Sequence, residues 1–181
     1  MRISGKFFRG ISVGVLLLLG VHNQAFAQFA GGDGSSGNPY QIVTATQLDS
    51  VRNHLSNYFI LTADIDLGVS PYNSGTGWTP IGNTTDLFTG SLDGDGHTIS
   101  NLFINNNTQS YQGLFGVVSG GNTFKDLTLT DVNITANNRI GGLMGQSQGA
   151  IVKNVHVSGT LNNPRDLSGL IIGITTTSTT L

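Results

Sequence analysis

The chain has 181 residues, 8 Lys and Arg against 10 acidic residues, and a formal net charge of −2 at pH 7. That faintly acidic balance argues against a nucleic-acid partner or an anionic membrane surface, both of which select basic patches. There is no cysteine and no Glu, which excludes disulfide staples, thiol catalysis, a lipid-bearing N-terminal cysteine and the His-Glu-x-x-His motif of metallopeptidases.

Residues 1–27 read as a signal peptide. Arg2, Lys6 and Arg9 give a basic start, Ile11 to Val21 is an apolar run, and Ala25-Phe26-Ala27 offers the small-x-small pattern for cleavage near Ala27. The run is shorter than the roughly 20 residues of a membrane span, so no membrane insertion is expected after cleavage. The remaining chain, beginning near Gln28, repeats Ile, Leu, Val and Phe at fixed offsets amid Gly, Asn and Thr. That pattern predicts a folded, strand- and turn-rich domain and not a disordered one.

Residues 28–58 read as an N-terminal cap. Thr44 and Gln47 have the spacing of a capping box. Leu48, Val51 and Leu55 then form one apolar stripe of a short helix, with His54 on its polar side. "YFILTADIDL" follows as strand, with Phe59, Leu61, Ala63, Ile65 and Leu67 inward and Asp64 and Asp66 toward solvent. The longest irregular stretch, "GVSPYNSGTGWTPIG", carries Tyr72 and Trp78. These aromatics are read either as packing against the first coil or as a loop site that stacks on sugar.

Residues 59–174 hold the repeats. "GHTISNLFI" (96–104), "GNTFKDLTL" (121–129) and "GAIVKNVHV" (149–157) align on Gly96, Gly121 and Gly149. The alignment puts Leu102, Leu127 and Val155 in one column and Ile104, Leu129 and Val157 in another, two residues on, which is strand periodicity. Asn101, Asp126 and Asn154 share a column where a short polar side chain suits a bend. His156 belongs to the outward column. A second signature is Gly-apolar-apolar-Gly: Gly113, Leu114, Phe115 and Gly116, then Gly142, Leu143, Met144 and Gly145. A third copy starts at Gly169 and Leu170, with Ile172 where a glycine is expected.

Units of this length with two short strands and no helical period predict an all-β chain, a parallel β-solenoid with a short N-terminal capping helix. Leu102, Leu127 and Val155 are then expected directly over one another. The segment 175–181 reads as the uncapped end of a truncated last coil, so the chain is expected to be a fragment of a longer one.

The Gly-apolar-apolar-Gly motifs, with "GNPYQIVTATQLDSVRNHL", "FILTADIDL", "GWTPIG" and "LFTGSLDGDGHTISNL" around them, resemble the GLUG repeats of bacterial surface proteins. The resemblance runs from about Gly31 to Gly173. It implies a right-handed β-helix in exported, adhesin-like proteins; similar repeats accompany immunoglobulin-cleaving metallopeptidases.

Candidate chemistry is sparse. Asp93 and Asp95 in "LDGDG" read either as turn carboxylates that cap backbone amides or as a pair sharing a strand face. The second reading would serve calcium, or glycoside cleavage with Lys125 nearby. "LDGDG" lacks the further ligands of a calcium loop, and neither His97 nor any other histidine has metal-ligand spacing. The expectation is therefore an exported, non-enzymatic module with no cofactor, secreted or held at the cell surface. Its partner would be a surface ligand, carbohydrate or a protein of a host or neighbouring cell. The alternatives are an accessory region of a surface metallopeptidase and a polysaccharide-binding or -degrading β-helix.

Overall fold

The computed structural model describes residues 28–162 and 168–175. The signal peptide read at 1–27 and the end segment 176–181 lie outside the described residues. Strand β1 (Tyr40–Ile42) precedes helix α1 (Ala45–Ser50) and a 3-10 turn (Val51–Asn53). Short strands β2 (Tyr58–Leu61), β3 (Ile65–Asp66), β4 (Ser91–Asp93) and β5 (Thr98–Ser100) follow. Then come β6 (Phe103–Gln112), β7 (Phe115–Val118), β8 (Thr123–Gly141), β9 (Met144–Ser147), β10 (Ile151–Asn162), β11 (Ser168–Gly169) and β12 (Ile172–Thr175).

All strand ladders among the described residues are parallel. Parallel neighbours usually need a helical crossover. Here α1 and its 3-10 turn make the crossover only between β1 and β2; the later crossovers run through other strands, so each pass of the chain runs beside the previous one. Phe59, Leu92, Phe124 and Val152 are successive neighbours in one buried column, and Ile65, Ile99 and Leu129 in another that ends on the half-buried Val157. Alternate residues point inward: Leu127 and Leu129 are buried while Thr128 between them is half-exposed. Phe88, Phe115 and Phe124 meet in the centre, with ring centroids 4.7 Å (Phe88–Phe115) and 5.0 Å (Phe115–Phe124) apart.

The corners have a simple chemical cause. Asn101, Asp126, Asp131 and Asn154 have φ between 48° and 60°. A strand cannot run straight through a left-handed residue, and Asn and Asp are the side chains that tolerate that region best after glycine. Ladders also form across corners: the Asn154 amide donates to Asp126 Oδ1 at 2.8 Å and the Asn101 amide to Asp66 Oδ1 at 2.8 Å.

The register corrects one expectation. Val155 lies beside Leu127 and Val157 beside Leu129, as the repeat alignment requires. Ile99, however, pairs with Leu129, and Phe103 and Ile104 pair with Asn133 and Ile134, which leaves Leu102 level with Val132 and not Leu127. The reason is that "SNLFI" (100–104) resembles both "KDLTL" (125–129) and "TDVNI" (130–134). The pass that contains β8 turns two corners five residues apart, at Asp126 and Asp131. Asn101 lies level with the second of them, not the first.

The third glycine motif is also resolved by register. Gly169 pairs with Gly141, and Ile172 with Met144, which pairs in turn with Phe115. Ile172 therefore fills an apolar place, and Gly173 sits against the Gly145 carbonyl. Leu170, read as part of the interior pair, is 44% exposed and lies level with Gly142. At Gly145 a Cβ would stand 2.4 Å from the Tyr111 carbonyl carbon, so the backbone approach itself demands glycine.

At the N-terminal end, the Thr44 hydroxyl accepts the Gln47 N–H at 3.2 Å. The Gln47 side chain takes the Val43 N–H, one residue earlier than the usual box partner. Leu48 and Val51 are buried, whereas Leu55 lies beyond the helix in a turn whose carbonyl accepts from Thr89 and Gly90. Phe29 stacks on Tyr40 at 4.4 Å and reaches Phe59. His54 packs edge-on against Phe29 and Tyr40 and meets Gln28, so it sits in an aromatic cluster and not on a polar face.

Candidate functional site

The singled-out carboxylates fall at the corners. Asp93 ends β4, and Asp95 is in the following turn at φ 49°, its N–H donating to Asp93 Oδ1 at 3.0 Å. The two therefore form a turn and do not share a strand face. The other Asp93 oxygen meets Lys125 Nζ at 2.5 Å, and Lys125 also reaches Asp126 at 3.4 Å. This pairing with Asp93 is the main cause that raises the Lys125 pKa. The Asn154 amide, followed by Lys125, lowers that of Asp126.

A parallel arrangement stands one corner away. Asp64 Oδ1 accepts the Thr98 N–H at 2.9 Å and meets His97 Nδ1 at 3.1 Å, and these bonds lower its pKa in that order. Asp66 is lowered first by Asn101 and then by the Gly68 N–H. Each of these carboxylates is thus held ionised by a neighbouring donor. His97 is half-buried and His156 exposed. Among the described residues no group of three His, Cys, Asp or Glu side chains could hold a metal ion.

Trp78 is not a surface aromatic. It is 1% exposed, donates its indole N–H to the Leu114 carbonyl at 3.0 Å, packs on Tyr72 at 5.3 Å and lies under the Arg52 guanidinium at 5.4 Å. The irregular segment it belongs to pairs only at single bridges, Gly77 with Ile104 and Ile81 with Phe115.

Beside that segment lies a cleft of about 870 Å³, which the sequence did not announce. One wall is the 76–86 loop. The other is a bulge in β6: Asn106 pairs with Ala136 and Ser110 with Asn138, so two extra residues are pushed out of the ladder. Tyr111 and Gln112 close it. Tyr111 has φ 62°, and Arg139, one pass later, has φ 54°. The Arg139 guanidinium covers the Tyr111 ring at 4.9 Å and donates to its hydroxyl at 2.9 Å. The signal was present in the sequence, because Phe103 to Gly113 is two residues longer than Asn133 to Gly141. It becomes visible only when "TDVNI" is chosen as the matching copy.

No protein-family model matches the chain. Halomucin of Haloquadratum walsbyi is 39% identical over 149 residues, covering 77% of this chain and 2% of Halomucin. A provisionally named Gly-rich membrane protein of Evansella cellulosilytica is 41% identical over 134 residues, covering 71% of this chain and 15% of that protein. An immunoglobulin A1 protease of Streptococcus sanguinis is 30% identical over 125 residues, covering 68% of this chain and 6% of the protease. The chain thus spans a small fraction of each of these relatives. A crystal structure of a protein provisionally named an immunoglobulin A1 protease, from Bacteroides ovatus, aligns with a TM-score of 0.49 and 22% identity, covering 77% of this chain and 47% of that one.

Proposed function

We propose that the chain is a right-handed β-helical repeat module of an exported surface protein, of the GLUG-motif kind, acting as a non-catalytic stalk or binding surface within a longer protein. The observation that carries this reading is the parallel register: successive passes lie beside one another at intervals of about 30 residues, from Phe59 through Leu92 and Phe124 to Val152. Stacked passes give a stiff body with flat polar faces on which shallow contacts to a carbohydrate or protein ligand can sum.

The relatives' names support a surface setting, since one is a halomucin and another is provisionally named a Gly-rich membrane protein. The basic start, apolar run and Ala25-Phe26-Ala27 support export with cleavage near Ala27. The carboxylates favour a structural over a catalytic role. A glycoside-cleaving acid must hold its proton near neutral pH, whereas Asp64, Asp66 and Asp126 are all pushed down. Calcium at Asp93 and Asp95 would have to displace the Lys125 ammonium, which already pairs with Asp93. The similarity to an immunoglobulin A1 protease favours one second reading, an accessory region beside a peptidase domain.

Surface shaving tests the proposal. Bacterial cells producing the protein with an internal epitope at Gly75, an exposed loop residue with open space around it, are treated with protease and the N-terminus of the protein is read by mass spectrometry. Loss of the epitope from intact cells and a chain starting at Gln28 are expected. A protected cytosolic chain that retains Met1 overturns the reading.

A further inference from the structure

We infer that the cleft between the 76–86 loop and the β6 bulge binds a short neutral oligosaccharide. Three departures from the regular repeat converge on this one place. The longest irregular connection forms its first wall, and the two-residue bulge after Asn106 forms its second. Bulges of this kind re-aim side chains and gather next to functional sites. The third departure is the pair of left-handed residues at its edge.

That pair is the most telling feature. Asp95, Asn101, Asp126, Asp131 and Asn154, the other non-glycine residues with positive φ among the described residues, are all Asn or Asp. Tyr111 and Arg139 are the exceptions, and a bulky side chain in this region is an outlier held in place by its surroundings. The fold would be better served by Asn at both positions. What Tyr111 supplies instead is a half-buried phenol ring at the cleft, backed by a guanidinium on one face and fixed through its hydroxyl.

The lining chemistry selects the ligand. Among the described lining residues the only charged side chains are Arg52 and Asp86. Arg52 is already engaged by Asp49 at 2.5 Å and by the Thr79 carbonyl at 2.8 Å. The rest is largely amide and hydroxyl, notably Asn53, Asn83, Gln109 and Thr108. Gln112 is only 7% exposed; its amide N–H donates to the Ser110 carbonyl at 2.9 Å, while its carbonyl oxygen has no hydrogen-bond partner among the described residues. A buried acceptor left open at the wall of a cleft calls for a donor from outside. Hydroxyl-rich, uncharged sugar rings supply such donors and present a C–H face to an aromatic ring. A volume of about 870 Å³ is within the range of small-molecule sites and exceeds what one water or ion needs.

This inference deepens the surface-ligand part of the reading above, and the two can fail separately, because binding is measured on purified protein and location on cells. The secreted protein is titrated calorimetrically with neutral di- to tetrasaccharides of hexose and N-acetylhexosamine, and with uronic-acid oligosaccharides of equal length. Binding of a neutral member is expected, with affinity lowered at least tenfold in Tyr111→Asn and severalfold in Gln109→Ala. Asn is the residue type used at the other corners, and Gln109 is exposed on the bulge, so both variants should keep the parent's unfolding temperature. Three results overturn the inference: no neutral saccharide binding at millimolar concentration, binding confined to the uronic-acid series, or affinity unchanged in both variants.

Discussion

Replacing Gly145 by Ala places one methyl group where the fold has no room. The added Cβ would lie 2.4 Å from the Tyr111 carbonyl carbon, 2.5 Å from its Cα and 2.7 Å from the Gln112 nitrogen. All three are backbone atoms of the preceding pass, so no side chain can swing away, and relief requires the β6–β9 contact to open. Overpacking of this kind costs about 1–3 kcal/mol, and the absence of a yielding neighbour puts Gly145→Ala near the top of that range, about 3 kcal/mol. At roughly 2–4 °C per kcal/mol for a chain of this size, the unfolding temperature should fall by roughly 6–12 °C. Gly37→Ala is the control, because nothing lies within 4 Å of its Cβ position. There the loss of unfolded-state freedom should leave stability unchanged or raised by about 0.4–1 kcal/mol. Urea unfolding followed by the fluorescence of Trp78, the single Trp, reports both. A Gly145→Ala protein within about 0.5 kcal/mol of the parent would refute the close-approach argument, since that is the range of an ordinary surface substitution.

Three further outcomes follow from the same geometry. Phe124→Ala empties the centre of the Phe88–Phe115–Phe124 cluster and should cost about 3–5 kcal/mol in denaturant unfolding, whereas Tyr58→Ala, at a 42% exposed position, should stay within about 0.5 kcal/mol. Asn101→Ala loses both the bond to Asp66 and the tolerance of φ 60°, a cost of about 1–2 kcal/mol, while Asn101→Gly keeps the backbone and costs less. Stability should be level from about pH 5 to about pH 10. Asp64, Asp66 and Asp126 have folded pKa values below the ordinary one, so their contribution is complete above about pH 4 and is lost as pH falls through the folded values. Lys125 is raised by Asp93 and Tyr72 by burial; both contributions are complete below the ordinary values and are lost as pH rises past about 10. Thermal unfolding across pH 2–12 checks both flanks, and a maximum near pH 4 would contradict the assignment.

Local alternation and glycine spacing were readable because they are short-range patterns with a direct physical cause. Leu127 and Leu129 bury on alternate positions, and Gly113, Gly116 and Gly145 stand where backbones touch. Register was harder. "SNLFI" fits two pentapeptides of the next pass equally well, and the pairings of Ile99 with Leu129 and of Ile104 with Ile134 decide between them. The 25-residue spacing of Gly96 and Gly121 is shorter than the 29 between Gly116 and Gly145, which marks the first pair as different places in successive passes. The 67–90 connection carries no period at all, so the sequence offered both packing and sugar stacking for Trp78; the structure bears out packing, and the bond to the Leu114 carbonyl had no local signal. The cleft was invisible for the same reason, because it is made where the periodicity breaks. Asp93 and Asp95 drew attention as paired carboxylates, yet a left-handed turn and a lysine from the next pass absorb them.

Cysteine pairing tests the stacking of passes most directly, since the chain has no cysteine of its own. Ser100 and Thr130 are neighbours across β5 and β8; paired residues on adjacent strands have Cα atoms about 4.8 Å apart, inside the span a disulfide bridges. Lys125, the partner that the repeat alignment alone would choose, lies five residues from Thr130, on the order of 10 Å or more along the strand and beyond that span. Ser100→Cys with Thr130→Cys should form a disulfide under mild oxidation in the folded protein, and Ser100→Cys with Lys125→Cys should not. Rapid bridging of 100 to 125 with none of 100 to 130 would contradict the parallel register on which the account stands.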